Sequence, residues 1–277
     1  MTPRVSTPPV PAKPPPSGLA AITTQGRKLP SRCVLHAIPK WGKTSFAAMA
    51  PAPVFLMTRG EDGLLSLMDA GLVGPTAHFP EPFSSWDALV RSVGDLAAGG
   101  HAYRTVVIDT LNGAERLAHE ATCQQDCGGD WGTFDAYGRG VKLSLTRVIA
   151  LTTALDRCRE AGMGVMLLAH SQVKTFKNPS GPDYDRWEPT LSQQAWSHLD
   201  RWADMILFGY FETYTEQKDK RATKAKATGG TARIIATQRR AEFDAGNRIG
   251  LPEEIECGES AAEAWRNFAS AVKTKKE

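Results

Sequence analysis

The stretch from Cys33 to Ala47, CVLHAIPKWGKTSFA, constrains this chain more than any other. A short apolar run from Cys33 leads through His36 into Ala-Ile-Pro-Lys-Trp-Gly-Lys-Thr, and small and apolar residues follow. The pattern is Ala-or-Gly, four free positions, then Gly-Lys-Thr, with Ala37 where glycine is more usual. Each residue type answers to phosphate chemistry. Gly42 lets the backbone turn its N–H groups onto phosphate oxygens, Lys43 neutralises β/γ charge, and the Thr44 hydroxyl ligates Mg²⁺. Ala37, Ile38, Pro39, Lys40, Trp41, Gly42, Lys43, Thr44 and Ser45 are therefore expected to wrap the phosphates of ATP. By average composition such a string arises by chance in roughly one or two chains per hundred of this length, so its context decides. A strand before it and a helix-forming run after it are the context a phosphate loop requires, and an ordinary exposed turn has no need of either.

A phosphate loop calls for a second partner, an acid at the tip of an apolar strand beside the metal. YRTVVIDTLNG supplies one: Val106, Val107 and Ile108 lead to Asp109, and Thr110 opens the next helix. Asp109 is expected to hold Mg²⁺ through water. Its other use, as a helix N-cap, can be served by Thr110 or Asn112. In APVFLMTRGEDGLLSL, Glu61 stands just past a strand, where a carboxylate orients or deprotonates an attacking water, or else merely suits a helix start. GVMLLAH ends another strand at His170, placed to feel a γ-phosphate and pass its state onward, or simply to cap the strand. TQRRAEFDAGNRIGLP runs into a polar turn with Asn247 and Arg248, and an arginine there can reach a neighbouring subunit's nucleotide.

The rest of the chain alternates short apolar runs with longer amphipathic ones. Strands are predicted over 32–37, 53–58, 104–109, 164–169, 204–211 and 231–238, and helices over 43–50, 61–70, 84–98, 110–124, 141–161, 191–202 and 260–273. This order predicts an α/β fold with a mostly parallel, doubly wound sheet, helices on both faces, and the last two strands as an antiparallel hairpin at one edge. Residues 1–29 carry seven prolines and read as a disordered tail, leaving 30–277 as one domain.

The order of AIPKWGKT, Glu61, VVIDT, LLAHSQVK, RWADMILF and GNRIGLP resembles the phage nucleotide-binding family of RecA-like P-loop ATPases, which includes single-strand annealing recombinases of bacteriophages. The resemblance covers about residues 31–255. It implies a RecA-like core, Mg-ATP binding, and a role on single-stranded DNA in phage recombination or replication, of the annealing or strand-exchange type. It assigns Lys43 and Thr44 to phosphate and metal, Asp109 to metal, and Glu61 to catalysis. Arg248 fits the arginine of the family's Lys-Asn-Arg turn, but Gly246 stands where the lysine usually lies, with Arg239 or Arg240 as replacements. A homo-oligomeric ring or filament follows, with nucleotide at subunit interfaces, in the cytoplasm of a host bacterium.

In such an assembly the loops after the fourth and fifth strands face the axis. The first, SQVKTFKNPSGPDYDRW, interleaves Lys174, Lys177 and Arg186 with Phe176, Tyr184 and Trp187, the cation-and-aromatic mixture of sequence-tolerant strand binding. The second, EQKDKRATKAKATGG, carries Lys218, Lys220, Arg221, Lys224 and Lys226. The alternative reading of each is a solvated loop. Gly128–Gly140 reads as a Gly-rich connector, or as a lid or subunit contact through Trp131, Phe134 and Tyr137. His119, Cys123 and Cys127 share a helix face and could begin a metal site, though no fourth ligand shows.

Composition sets limits. With 42% hydrophobic and 23% charged residues over 277, the chain buries one substantial core. A net charge of +3 gives no global basic field, so any nucleic-acid contact rests on local patches. Five cysteines, an odd count, argue for reduced thiols in a cytosol. No apolar run nears the ~20 residues of a membrane span. Three rival readings stand beside the recombinase: a replicative helicase-like or helicase-loader ATPase, a small-molecule kinase, and a nucleotide-gated DNA-binding module with little hydrolysis.

Overall fold

The computed structural model describes residues 18–216 and 226–274. Residues 1–17 of the predicted tail lie outside them; Gly18–Ala21 form a 3-10 turn and the chain stays exposed through Lys28. The elements then follow as β1 (Arg32–Ala37), α1 (Lys43–Ala48), β2 (Pro53–Met57), α2 (Gly63–Asp69), β3 (Ala77–His78), α3 (Trp86–Ala98), β4 (Thr105–Asp109), α4 (Leu111–Asp126), α5 (Trp131–Asp135), α6 (Arg139–Glu160), β5 (Gly164–Phe176), β6 (Tyr184–Pro189), α7 (Gln193–Trp202), β7 (Met205–Glu216), β8 (Lys226–Ala236), β9 (Gly246–Asn247), β10 (Glu254–Glu256) and α8 (Ala261–Thr274).

The main sheet runs β10-β8-β7-β1-β5-β4-β2-β3. From β7 to β3 the pairings are parallel, and β8 and β10 add an antiparallel edge. The fold is thus mixed α/β with a mostly parallel sheet between helices, as the sequence predicts. Successive strand side chains point to opposite faces. Val34, Ile108 and Leu167 accordingly pack with Leu89 of α3, Leu117 of α4, Leu155 of α6 and Leu199 of α7. Leu35, Val107 and Leu168 pack on the other face with Phe46 of α1, Leu64 of α2 and Phe268 of α8. Each such buried side chain contributes about 1.5–3 kcal/mol relative to exposure, so both faces need their helices. The first strand in sequence ends up central, between β5 and β7. The segment after its C-terminal end therefore lies where the strand order switches, the usual place for a ligand crevice.

Several boundaries differ from prediction. The strand expected at 164–169 continues to Phe176 and turns back through β6, so the segment after His170 is a hairpin, not a loop. Its alternation around Val173 and Thr175 and the Asn-Pro-Ser-Gly turn were the signal for it. At that turn the Asn178 side-chain oxygen accepts from Ser180 N at 3.1 Å. β7 and β8 are longer than predicted, and Lys218, Lys220, Arg221 and Lys224 at their connection lie outside the described residues. Lys226 opens β8. The Gly-rich connector contains the short helix α5, with Phe134 tucked inward and Tyr137 fully exposed. The two-residue and three-residue strands β3, β9 and β10 are too short to leave a periodicity.

Candidate active site

The loop after β1 is shaped by its own residues. Gly42 has φ 103°, a left-handed conformation that residues with a Cβ rarely adopt. Trp41 does not face the loop's concave side. Its ring is buried, and Nε1 donates to the Tyr210 carbonyl at 3.2 Å, anchoring the loop to β7. This anchoring needs Gly209, because a Cβ there would lie 2.7 Å from the Trp41 ring and 2.9 Å from the Ala37 Cβ. Trp41 is thus a buried anchor of the loop, and it also borders the cavity beside Gly42.

Three chain-distant groups meet at this loop. Thr44 Oγ1 donates to Asp109 Oδ2 at 2.8 Å, joining the start of α1 to the tip of β4. Thr110, not Asp109, caps α4, its hydroxyl accepting from Gly113 N. The carboxylate is therefore left to Thr44. Burial pushes the Asp109 carboxyl up to about 6, against the Thr44 hydrogen bond, which favours the charged form. Burial likewise lowers the Lys43 ammonium, while Asp109 and Glu61 hold its charge. A hydroxyl and a carboxylate side by side and nearly buried are hard oxygen donors that suit Mg²⁺ rather than a thiol-seeking metal.

Glu61 follows β2, and its Oε1 accepts from both His170 Nε2 at 2.9 Å and Thr110 Oγ1 at 3.3 Å. The His170 hydrogen bond, with Thr110 and Lys43, holds the Glu61 carboxyl below its ordinary range against burial. His170 is itself tied to α4, since its N–H donates to Asn112 Oδ1 at 2.8 Å, and the Asn112 amide donates to the Thr190 carbonyl just past β6. Asn112 entered the sequence reading only as a possible cap. Its bridging role depends on a hairpin that no local pattern places beside α4.

Beside Gly42 and Ser45 opens a cavity of about 300 Å³ whose lining includes Phe46, Leu67, the 71% exposed Leu72 and Arg233. It adjoins the phosphate loop through Gly42 and Ser45. Arg233 and Leu72 come from distant segments, and neither was singled out from sequence.

The remaining predicted residues are placed as follows. Asn247 pairs with Met205, level with Cys33 at the start of β1, so Arg248 lies about 13 Å or more along the strands from its own chain's phosphate loop. Arg248 is exposed and hydrogen-bonds the Arg201 carbonyl. Of the two arginines suggested in place of the lysine missing at Gly246, Arg240 is engaged by Glu253 and Glu254. Arg186 is only 3% exposed and ion-paired to Asp244, which corrects its reading as a solvent-facing cation. Lys177 pairs with Asp183 and Lys174 approaches Glu188 at 3.6 Å. The aromatic residues of the hairpin are spent on packing. Phe176 lies between Arg186 and Tyr184, and Trp187 stacks on Phe208. Cys123 and Cys127 cluster with Phe134, and His119 packs on the Phe134 ring at 5.3 Å. Among the described residues no group of three His, Cys, Asp or Glu side chains forms a metal site. The five cysteines are free and buried. No helix among the described residues is long and apolar enough to cross a membrane.

A family model described as an AAA domain matches residues 29–249. No curated protein matches the chain.

Proposed function

The chain belongs to the AAA-domain family of nucleotide-binding P-loop ATPases, and from that premise we propose that it is a Mg²⁺-dependent ATPase acting on single-stranded DNA, in phage recombination or replication of the annealing or strand-exchange type. The observation that carries the ATPase reading is the meeting of Thr44 with Asp109 and of Glu61 with His170 around Lys43. Bound Mg²⁺ would supply charge neutralisation on the phosphates, held by Thr44 and, through water, Asp109. Lys43 would neutralise the charge of the β/γ oxygens. Glu61, ionised and fixed by two donors, orients the attacking water and takes its proton. His170 holds that carboxylate in place and stands at the root of the β5–β6 hairpin. A γ-phosphate that disturbs the pair is thereby felt by the hairpin.

Support for DNA is the resemblance together with the basic character of the β7–β8 connection. Support for a homo-oligomer is the position of Arg248, exposed and remote from its own phosphate loop, which suits action on a neighbour's nucleotide. The place of action is then the cytoplasm of the host bacterium. The testing experiment is ATP hydrolysis with and without single-stranded DNA, for the wild type and Lys43→Ala. Stimulation by DNA that vanishes in the variant is expected. Turnover indifferent to DNA overturns the DNA reading, and wild-type chain without turnover reduces it to a nucleotide-gated binding module.

A further inference from the structure

The concave side of the β5–β6 hairpin faces α7 across a cavity of about 450 Å³, within the roughly 300–1,000 Å³ of ligand pockets. Its charged wall is uneven. Arg186 is held by Asp244, whose other carboxylate oxygen accepts from Trp196 Nε1 at 3.2 Å. Glu188 stands 3.8 Å from Arg186 and 3.6 Å from Lys174. Asp200 lines the α7 side. Arg239 lines the same cavity, is exposed, and has neither an ion pair nor a side-chain hydrogen bond among the described residues. Its sequence neighbour Arg240 has two carboxylate partners.

Two guanidiniums thus share one cavity. The Arg186 Nε is buried without a hydrogen-bond partner. Burial first, and the Arg239 charge second, make it harder for Arg186 to hold its proton, against the pull of Glu188 and Asp200. An anion in the cavity relieves that repulsion. The groove's aromatic residues are already engaged, Phe176 by Arg186 and Tyr184, and Trp196 in the core, so no free ring face is offered to a base.

We propose that this groove seats the phosphodiester backbone of a single DNA strand, with Arg239 and Lys174 as its phosphate contacts and Arg186 as the fixed positive wall behind them. The proposal rests on the single-stranded DNA reading above and deepens it. The strand is read by charge in a groove rather than by base stacking at a loop tip. Binding is therefore strongly salt-dependent and nearly blind to base composition. The groove is also wired to the nucleotide site, because its floor residue Asp244 and the hairpin strand at Ser171 are both hydrogen-bonded to His36, one residue before the phosphate loop.

The test is fluorescence anisotropy of fluorescein-labelled oligothymidylate and of a mixed-sequence strand of equal length, with the full chain, Mg²⁺ and a non-hydrolysable ATP analogue, over a sodium chloride series. Arg239→Gln and Lys174→Gln are each expected to weaken binding several-fold and to reduce the log–log salt slope by about 0.7, the share of one phosphate contact on a single strand. Arg239→Lys restores most of the slope. Arg266→Gln, on α8 across the sheet, changes neither quantity. Arg239 is exposed and has no partner among the described residues, so an unchanged thermal unfolding midpoint shows that its variants are folded. A wild type that binds while both groove variants keep its affinity and slope overturns the groove and leaves the DNA reading standing. Strong preference between the two strands also overturns it. A wild type that binds neither strand overturns both.

Discussion

Nε2 of His36 donates a 2.7 Å hydrogen bond to the carbonyl oxygen of Asp244, across a sequence separation of 208 residues. A carbonyl only accepts, so the proton sits on Nε2, and Nδ1 of the neutral ring accepts from Ser171 Oγ at 2.9 Å. His36 is fully buried against Phe208, with Trp196 edge-on. One ring thereby fastens the root of the phosphate loop, the base of the hairpin and the segment that holds Arg186.

The ring's burial makes it a source of acid sensitivity. Burial, with the charges of Lys43 and Arg186, lowers its pKa from 6.5 to about 3. The unfolded chain takes up a proton below about pH 6.5 that the folded chain refuses. This contribution to stability is fully present above that pH and is lost as the pH falls toward 3, by at most ~1.4 kcal/mol per pH unit. Urea unfolding of the wild type and His36→Leu at pH 7 and pH 5 checks it. The variant should lose about 2–4 kcal/mol at pH 7, since Ser171 Oγ and the Asp244 carbonyl lose their partner, and should show a flatter pH dependence. Parallel pH curves would count against the buried neutral ring.

Glu61→Gln keeps the shape and removes the base. Hydrolysis should fall about 10²–10⁴-fold while nucleotide affinity changes little. Single-turnover hydrolysis beside equilibrium binding of a fluorescent ATP analogue separates the two. Equal losses in both would mean that Glu61 serves binding rather than chemistry.

Gly209→Ala forces a Cβ against Trp41 and Ala37. Overpacking of this kind costs about 1–3 kcal/mol, and the anchored loop shifts with the indole. A lower unfolding midpoint together with weaker nucleotide binding is expected. A variant that binds nucleotide like the wild type would show that the loop holds its form without the anchor.

Arg32 joins the start of β1 to Asp204 at 2.9 Å and to Asp156 at 3.2 Å, with only 14% of the Asp204 side chain exposed. Burial alone would raise the Asp204 carboxyl, but the hydrogen bonds and charge of Arg32, with the charge of Arg159, leave it below its ordinary value. Its stabilisation is therefore present above about pH 4 and lost as the pH falls below that. Asp204→Asn should cost about 2–4 kcal/mol at pH 7 and much less near pH 3, read by denaturant unfolding at both.

The phosphate loop, the Asp109 strand tip and the Glu61 position were legible because each is a local string whose chemistry fixes both residue type and spacing. The alternation of elements was legible because burial on both sheet faces writes continuous apolar strands and amphipathic helices. The hairpin after His170 reads as a loop from sequence, since most of its residues from His170 to Thr175 are exposed and only the weak alternation around Val173 and Thr175 marks a strand. Arg186 reads as a solvated cation from sequence because the partner that buries it, Asp244, is 58 positions away.

The sequence by itself determined that this chain carries a phosphate loop, an acidic strand tip and an α/β core, for these follow from periodicities and motifs a few residues long. The tertiary structure decided which polar groups meet: Glu61 with His170, His36 with Asp244, and Arg186 with Arg239 at one groove. Those meetings depend on strand order and register, which bring segments 50 to 200 residues apart to a few ångströms, and no local pattern encodes which side chain will stand opposite which.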